Sequence, residues 1–144
     1  MKVISLMQPW ASLIYYKEKF IETRSWKTKY RGEIYIHSSG RLNKFSSDTF
    51  YSPVFRSTFE NHNIISASQL PLGKIIAKAT LVDCVPITDD IFNTLIQLGY
   101  EFAPNEYFFG DYTPGRYAWV LQNITPLDTF IPAKGNLNIW NYEV

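Results

Sequence analysis

The sequence predicts one α+β domain, a mixed β-barrel with short helices around it. Three observations predict this. The chain has 144 residues, 46% of them hydrophobic, enough for one buried core. Strand-like alternation at 20–26, 33–37 and 117–124 is interleaved with short stretches of helical periodicity. No repeat, linker or low-complexity segment divides residues 1–144, which are read as a single domain.

Val3, Ile4 and Leu6 predict a first strand. Pro9 suits the first position of a helix, where its missing N–H costs nothing, and Trp10, Leu13 and Ile14 at i, i+3, i+4 give that helix one apolar face. The helix is expected to end near Lys17. Residues Phe20 to Trp26 alternate, so Phe20, Glu22, Arg24 and Trp26 share one strand face and Ile21, Thr23 and Ser25 the other. A polar loop leads to a strand at Glu33–His37. Between 41 and 70 one or two short helices are expected, with Ser47 as a cap and Pro53 as an interruption, together with a loop or flap. The apolar run after Gly73, KIIAKATLVDCVPI, reads as a central strand. A helix capped within Thr88–Asp90 and closed by Gly99 follows. Pro114-Gly115 suits a type II turn, Tyr117–Ile124 a strand, and Ile139–Tyr142 a last short strand.

Chemistry concentrates in Lys17–Arg31, KEKFIETRSWKTKYR, which holds six of the 14 Lys and Arg residues. Net charge is only +1, yet residues 1–44 carry nine basic and three acidic side chains and the remainder five and ten, which points to one basic face. Cations hold phosphates and flat rings stack on bases, so Lys19, Glu22, Arg24, Trp26, Tyr30 and Arg31 are candidate ligand residues. Ser39 adds a hydroxyl after the Glu33–His37 strand. Asp111 and Arg116 beside the Pro114-Gly115 turn form a candidate second wall, with Tyr112 or Tyr117 stacking. A nucleotide site needs both walls, so Lys19 and Arg116 are expected to line one pocket with Glu22 or Asp111 between them.

The composition also excludes. A single Cys84 rules out an internal disulfide and a multi-cysteine zinc site, and His37 and His62 come with no ligand cluster, so neither metal nor cofactor is expected. No Walker or GxGxxG loop is present. No 18-residue apolar run occurs and the first residues do not resemble a signal peptide, so no membrane association and a cytoplasmic location are expected.

Gln8-Pro9-Trp10-Ala11, then Lys19-x-x-Glu22-Thr23-Arg24, Tyr30-Arg31-Gly32 and Ile36-His37-Ser38-Ser39, resembles the ASCH family (activating signal cointegrator homology). Leu81-Val82-Asp83-Cys84-Val85, Gly110-Asp111-Tyr112-x-Pro114-Gly115-Arg116-Tyr117-Ala118-Trp119, Lys134-Gly135 and Trp140 extend the likeness over almost the whole chain. The family's usual Gly two residues before the motif Lys is Lys17 here. The resemblance implies a PUA-like β-barrel with peripheral short helices, a basic cleft, and binding of RNA or a modified nucleotide in it. Some members of the family hydrolyse N4-acetylcytidine with a Lys, a Thr three residues later and a distant Glu; Lys19 matches the Lys, but Glu22 stands where the Thr would be. Another is a ribonuclease using Tyr, Lys and Ser, types that Tyr30, Lys19 and Ser39 supply. The expected function is therefore nucleic-acid binding. The alternatives are a hydrolase with Lys19 and Glu22 as catalytic pair, and a protein-interaction module that docks a partner on exposed aromatics.

Overall fold

A computed structural model describes residues 1–143. Six strands form one curled sheet, a half-barrel: β1 (Lys2–Leu6), β2 (Ile21–Arg24), β3 (Gly32–Ser38), β4 (Lys74–Pro86), β5 (Tyr117–Pro132) and β6 (Ile139–Asn141), in the order β2-β5-β4-β3-β1-β6. The β1–β3 pair is parallel and the others are antiparallel. Helix α1 (Trp10–Tyr15) sits inside the curl, where Ala11 and Ile14 join Ile34, Ile36, Ile76, Leu81 and Trp119 in the main core. Helices α2 (Lys44–Phe50) and α3 (Pro53–Glu60) cover one mouth through a cluster of Leu13, Phe50, Phe55, Phe59 and Phe109. Helix α4 (Ile91–Gln97) packs on the opposite sheet face against Ile21, Val85, Ala118 and Val120. Among the described residues no helix is long and apolar enough to cross a membrane.

Several expectations are refined. Pro9 precedes the first helical residue rather than being it. Asn43, not Ser47, caps α2: its side chain accepts from the Ser46 amide at 2.8 Å. Pro53 does not interrupt a helix but begins α3, where a missing N–H is tolerated. Strand β5 runs through Pro126 to Pro132, well past the expected end at Ile124. The reason is topological. Strand β2 pairs only with Tyr117–Val120, so the rest of β5 is an edge, the position where prolines are accommodated. Three register shifts in the β4–β5 ladder bend this long pair and help curl the sheet. Half-buried Cys84 packs against the main core.

Lys17 explains the unusual residue at the turn between α1 and β2. Its amide donates to the Ile14 carbonyl and the Glu18 amide to the Leu13 carbonyl, both at 2.9 Å, which is a Schellman termination. Lys17 occupies the left-handed position with φ 59°, where a Cβ is disfavoured. We therefore expect Lys17→Gly to stabilise the fold by about 1 kcal/mol by removing that strain. Chemical denaturation reads this as a raised midpoint at unchanged slope; a lowered midpoint refutes the assignment of strain.

Candidate nucleic-acid interface

The Schellman turn sends the chain into the protein interior, and Lys19 arrives with no solvent exposure. Its ammonium donates to the carbonyls of Ile21 and Phe109, the latter at 2.9 Å, and lies 3.7 Å from Glu22 Oε1. A lysine so buried is tolerated only when its donors are matched. Beside it lies Glu106, 1% exposed, in the 3-10 turn Glu106–Phe109. Its Oε1 accepts from the Phe20 amide at 2.6 Å and the Ala103 amide at 3.3 Å, while Oε2 has no partner among the described residues. Burial pushes the Glu106 carboxyl above its ordinary range, against the opposing pull of the Lys19 charge and the amide donors. Lys19 and Glu106 thus cross-tie the start of β2 and the 106–110 segment in both directions.

This tie brings two charged segments face to face. Arg24 on β2 donates from Nη2 to the Ser5 carbonyl at 3.1 Å and pairs with Glu22 Oε2 at 3.2 Å. Its guanidinium lies 5.4 Å from the Trp26 ring centre and 5.5 Å from that of Trp119. Opposite, the Asp111 amide donates to Thr23 Oγ1 at 3.0 Å. Arg116 donates to the Asp111 carbonyl at 3.1 Å and the Thr23 carbonyl at 3.2 Å, with Asp111 Oδ2 at 3.6 Å from its Nε. The Thr113 hydroxyl and amide, and then the Arg116 charge, hold the Asp111 carboxyl below its usual range. Gly110 permits this approach: a Cβ there would stand 2.9 Å from the Tyr112 ring and 3.0 Å from Thr23 Cγ2. The turn has the expected form, with Gly115 at φ 96° and the Arg116 amide donating to the Thr113 carbonyl.

These joined segments, together with α1, α2 and α3, bound a cleft of about 630 Å³. Glu22, Arg24, Asp111 and Arg116 form its polar side. Met7, Trp10, Phe45, Phe55 and Phe108 form an apolar side, where Trp10 stacks on Phe45 with ring centres 5.8 Å apart. Trp26 closes the rim, 42% exposed.

Five of the candidates from the sequence therefore meet in one cleft: Glu22, Arg24, Trp26, Asp111 and Arg116. Lys19 does not line it; it supports the floor from beneath Glu22. The lining balances two guanidiniums with two carboxylates, while the basic surplus of Lys17, Lys27 and Lys29 is exposed outside it. Tyr30 and Arg31 lie away from the cleft: the Tyr30 hydroxyl donates to the Glu33 carbonyl at 2.6 Å, and Arg31 faces Asp83 at 3.6 Å. The cause is strand order, since the β2–β3 connection has to pass β5 and β4 to reach β3. Ser39 lines an adjoining pocket. Tyr112 is buried against Phe92 and Tyr107, and neither it nor Tyr117 lines the cleft. Sequence reasoning missed the apolar side entirely. The sequence places Trp10 on a core face, shows no clean period for Phe50, Phe55 and Phe59, and gives no sign that singles out Phe45. Glu106 carried one signal, a single acid among the aromatics of Phe102–Phe109.

A model of the ASCH domain matches residues 4–128. The chain is 23% identical over 140 residues to Activating signal cointegrator 1 of Mus musculus and 22% identical to that of Homo sapiens, covering 97% of this chain and 22% of each relative. It thus spans about a fifth of the length of the curated relatives it matches. Among solved structures, ASCH from Zymomonas mobilis superposes with a TM-score of 0.50 at 20% identity, covering 91% of this chain and 72% of that one. A tyrosine-to-phenylalanine mutant of the Zymomonas mobilis protein gives 0.50 at 19% identity, covering 91% and 74%. These likenesses support the α+β PUA-like fold.

The Glu106 geometry yields a pH signature. A carboxyl whose folded value is raised contributes most stability when protonated, below its ordinary value of 4.5, and that contribution is lost as pH climbs through the raised folded value. The stability of the native protein relative to Glu106→Gln should therefore fall from about pH 4.5 upward and then level off. Paired denaturation curves across pH check this; a difference that stays flat or grows with pH contradicts it.

Proposed function

This chain belongs to the ASCH domain family, generally RNA-binding, and on that premise we propose that it holds single-stranded RNA or a modified nucleotide in the cleft between β2 and the 110–116 loop. The observation that carries the reading is the presence of two unlike sets of side chains in one lining. One is a row of aromatic and apolar side chains. The other is a charge-balanced set of oriented donors and acceptors. A base needs both: a face to lie on and fixed partners for its polar edge. The volume, about 630 Å³, falls in the range of small-ligand sites. Trp26 and Arg24 form the stacking rim, and Glu22, Asp111 and Arg116 supply edge contacts.

The hydrolase alternative has less support, because it asks Lys19 to reach the ligand. The Lys19 ammonium is engaged by two backbone carbonyls and Glu22, and does not line the cleft. In the binding reading it is a positioning residue that fixes Glu22 and the Phe109 carbonyl.

Trp10 and Trp26 make the cleft observable, since a stacked base should quench their fluorescence. Titration with nucleosides and short single-stranded RNA should be saturable. Arg116→Ala should weaken binding about tenfold, the scale of one charge-assisted hydrogen bond, while Lys29→Ala, outside the cleft, should not. With two guanidiniums in the lining, the log–log salt slope for single-stranded RNA should be no steeper than about −1.4. Absence of quenching, or equal losses for both variants, would place the ligand elsewhere.

A further inference from the structure

The cleft does not end at Trp26. A second pocket of about 640 Å³ adjoins it, and the two share Ser5, Arg24 and Trp26. Their electrostatics differ. The first contains the carboxylates of Glu22 and Asp111; among the described residues the lining of the second contains none, and Arg24 is its only formally charged side chain. The second wall is firmly built. His37 Nε2 faces the Ala133 carbonyl at 2.8 Å and therefore donates to it, which leaves Nδ1 to accept from the Ser5 hydroxyl at 2.9 Å. The Trp140 indole donates to Ser5 Oγ at 3.0 Å. Gly135 lies so close that a Cβ would stand 2.9 Å from both Ser5 Oγ and His37 Cε1. These contacts press the 133–138 segment onto the sheet. Burial keeps the His37 pKa low, so the ring adds no charge at neutral pH.

Arg24 is placed to serve both pockets. Its Nη2 is engaged by Glu22 and the Ser5 carbonyl, and its guanidinium lies against the two indoles. Its Nη1 has no partner among the described residues, and neither do the Ser39 hydroxyl and the Asn136 and Asn138 amides around the same pocket. One oriented guanidinium edge, neutral donors and no carboxylate suit a group that only accepts hydrogen bonds and carries negative charge. Resting on the proposed function, we infer that the second pocket is a phosphate subsite, in which Arg24 and Ser39 hold the phosphate attached to the nucleoside seated in the first. The shared chemistry is a phosphate ester, from either a mononucleotide terminus or the phosphodiester of a strand.

The test compares a nucleoside, its 3′- and 5′-monophosphates and a dinucleoside monophosphate by tryptophan quenching and calorimetry. The phosphate should raise affinity at least tenfold over the nucleoside. A dinucleoside monophosphate that matches or exceeds the better mononucleotide assigns the site to a strand; a weaker one assigns it to a terminal phosphate. Ser39→Asp places a carboxylate in the pocket and should reduce the phosphate gain to less than threefold. Asn136→Asp, at an exposed position, provides the same check if the first variant does not fold. Nucleoside binding with no gain from phosphate, or a gain that both variants leave intact, overturns the subsite and leaves the base cleft standing. Absence of binding by every compound overturns both.

Discussion

The cleft depends on one buried interaction, the mutual clasp between the start of β2 and the 106–110 segment. Lys19 donates its ammonium protons to the Phe109 carbonyl, and Glu106 accepts the Phe20 amide proton. Two buried side chains thus bond to the backbone of each other's segment rather than directly to one another. Burial of a polar or charged group is costly unless its donors or acceptors are met, so the geometry is strongly constrained. If the two segments separated, the Lys19 ammonium would lose the Phe109 carbonyl and the Phe20 amide would lose Glu106 Oε1. The consequence reaches beyond stability. Gly110, Asp111 and Arg116 follow directly from the clasped segment, and the Arg24–Tyr117 register of β2 and β5 sets where their loop returns.

The cleft that results is preorganised by backbone contacts. Arg116 is aimed by two carbonyls and Arg24 by one, and each also faces a carboxylate. Such arginines retain unused donor edges while their charge is partly compensated. This favours discrimination by hydrogen-bond geometry over bulk attraction for polyanions, in keeping with a net charge of only +1. The apolar side has a different origin. Trp10 comes from the first turn of α1 and Phe45 from α2, and they stack because the second core cluster anchors α2 and α3 over Leu13 and Phe109.

Local pattern was enough for much of this. The alternation through Phe20–Trp26 placed Glu22 and Arg24 on one face, and they line the cleft together. The sequence Thr113-Pro114-Gly115-Arg116 specified its own turn, because only glycine adopts the required φ without strain. The fold family was legible because several of its motifs fall at turns and element ends, among them Gln8-Pro9-Trp10 at the start of α1 and Gly110–Gly115 before β5, where few residue types satisfy the backbone. Backbone geometry acts over a few residues, so these features by themselves follow from the sequence.

What only the tertiary structure decided is which charges meet the ligand side and which do not. Lys19 reads from the sequence as a ligand-facing cation, yet burial and two carbonyl acceptors turn it into a structural post. Tyr30 and Arg31 lie within the basic stretch, but strand order carries them past β5 to Asp83 on β4. Phe45 has no recognisable role until α2 is laid against Trp10. In each case the deciding partner is far away in sequence: Phe109 for Lys19, Asp83 for Arg31, Trp10 for Phe45. Periodicity cannot encode such neighbours, because strand order and the competition for buried hydrogen-bond partners are settled by the whole chain at once.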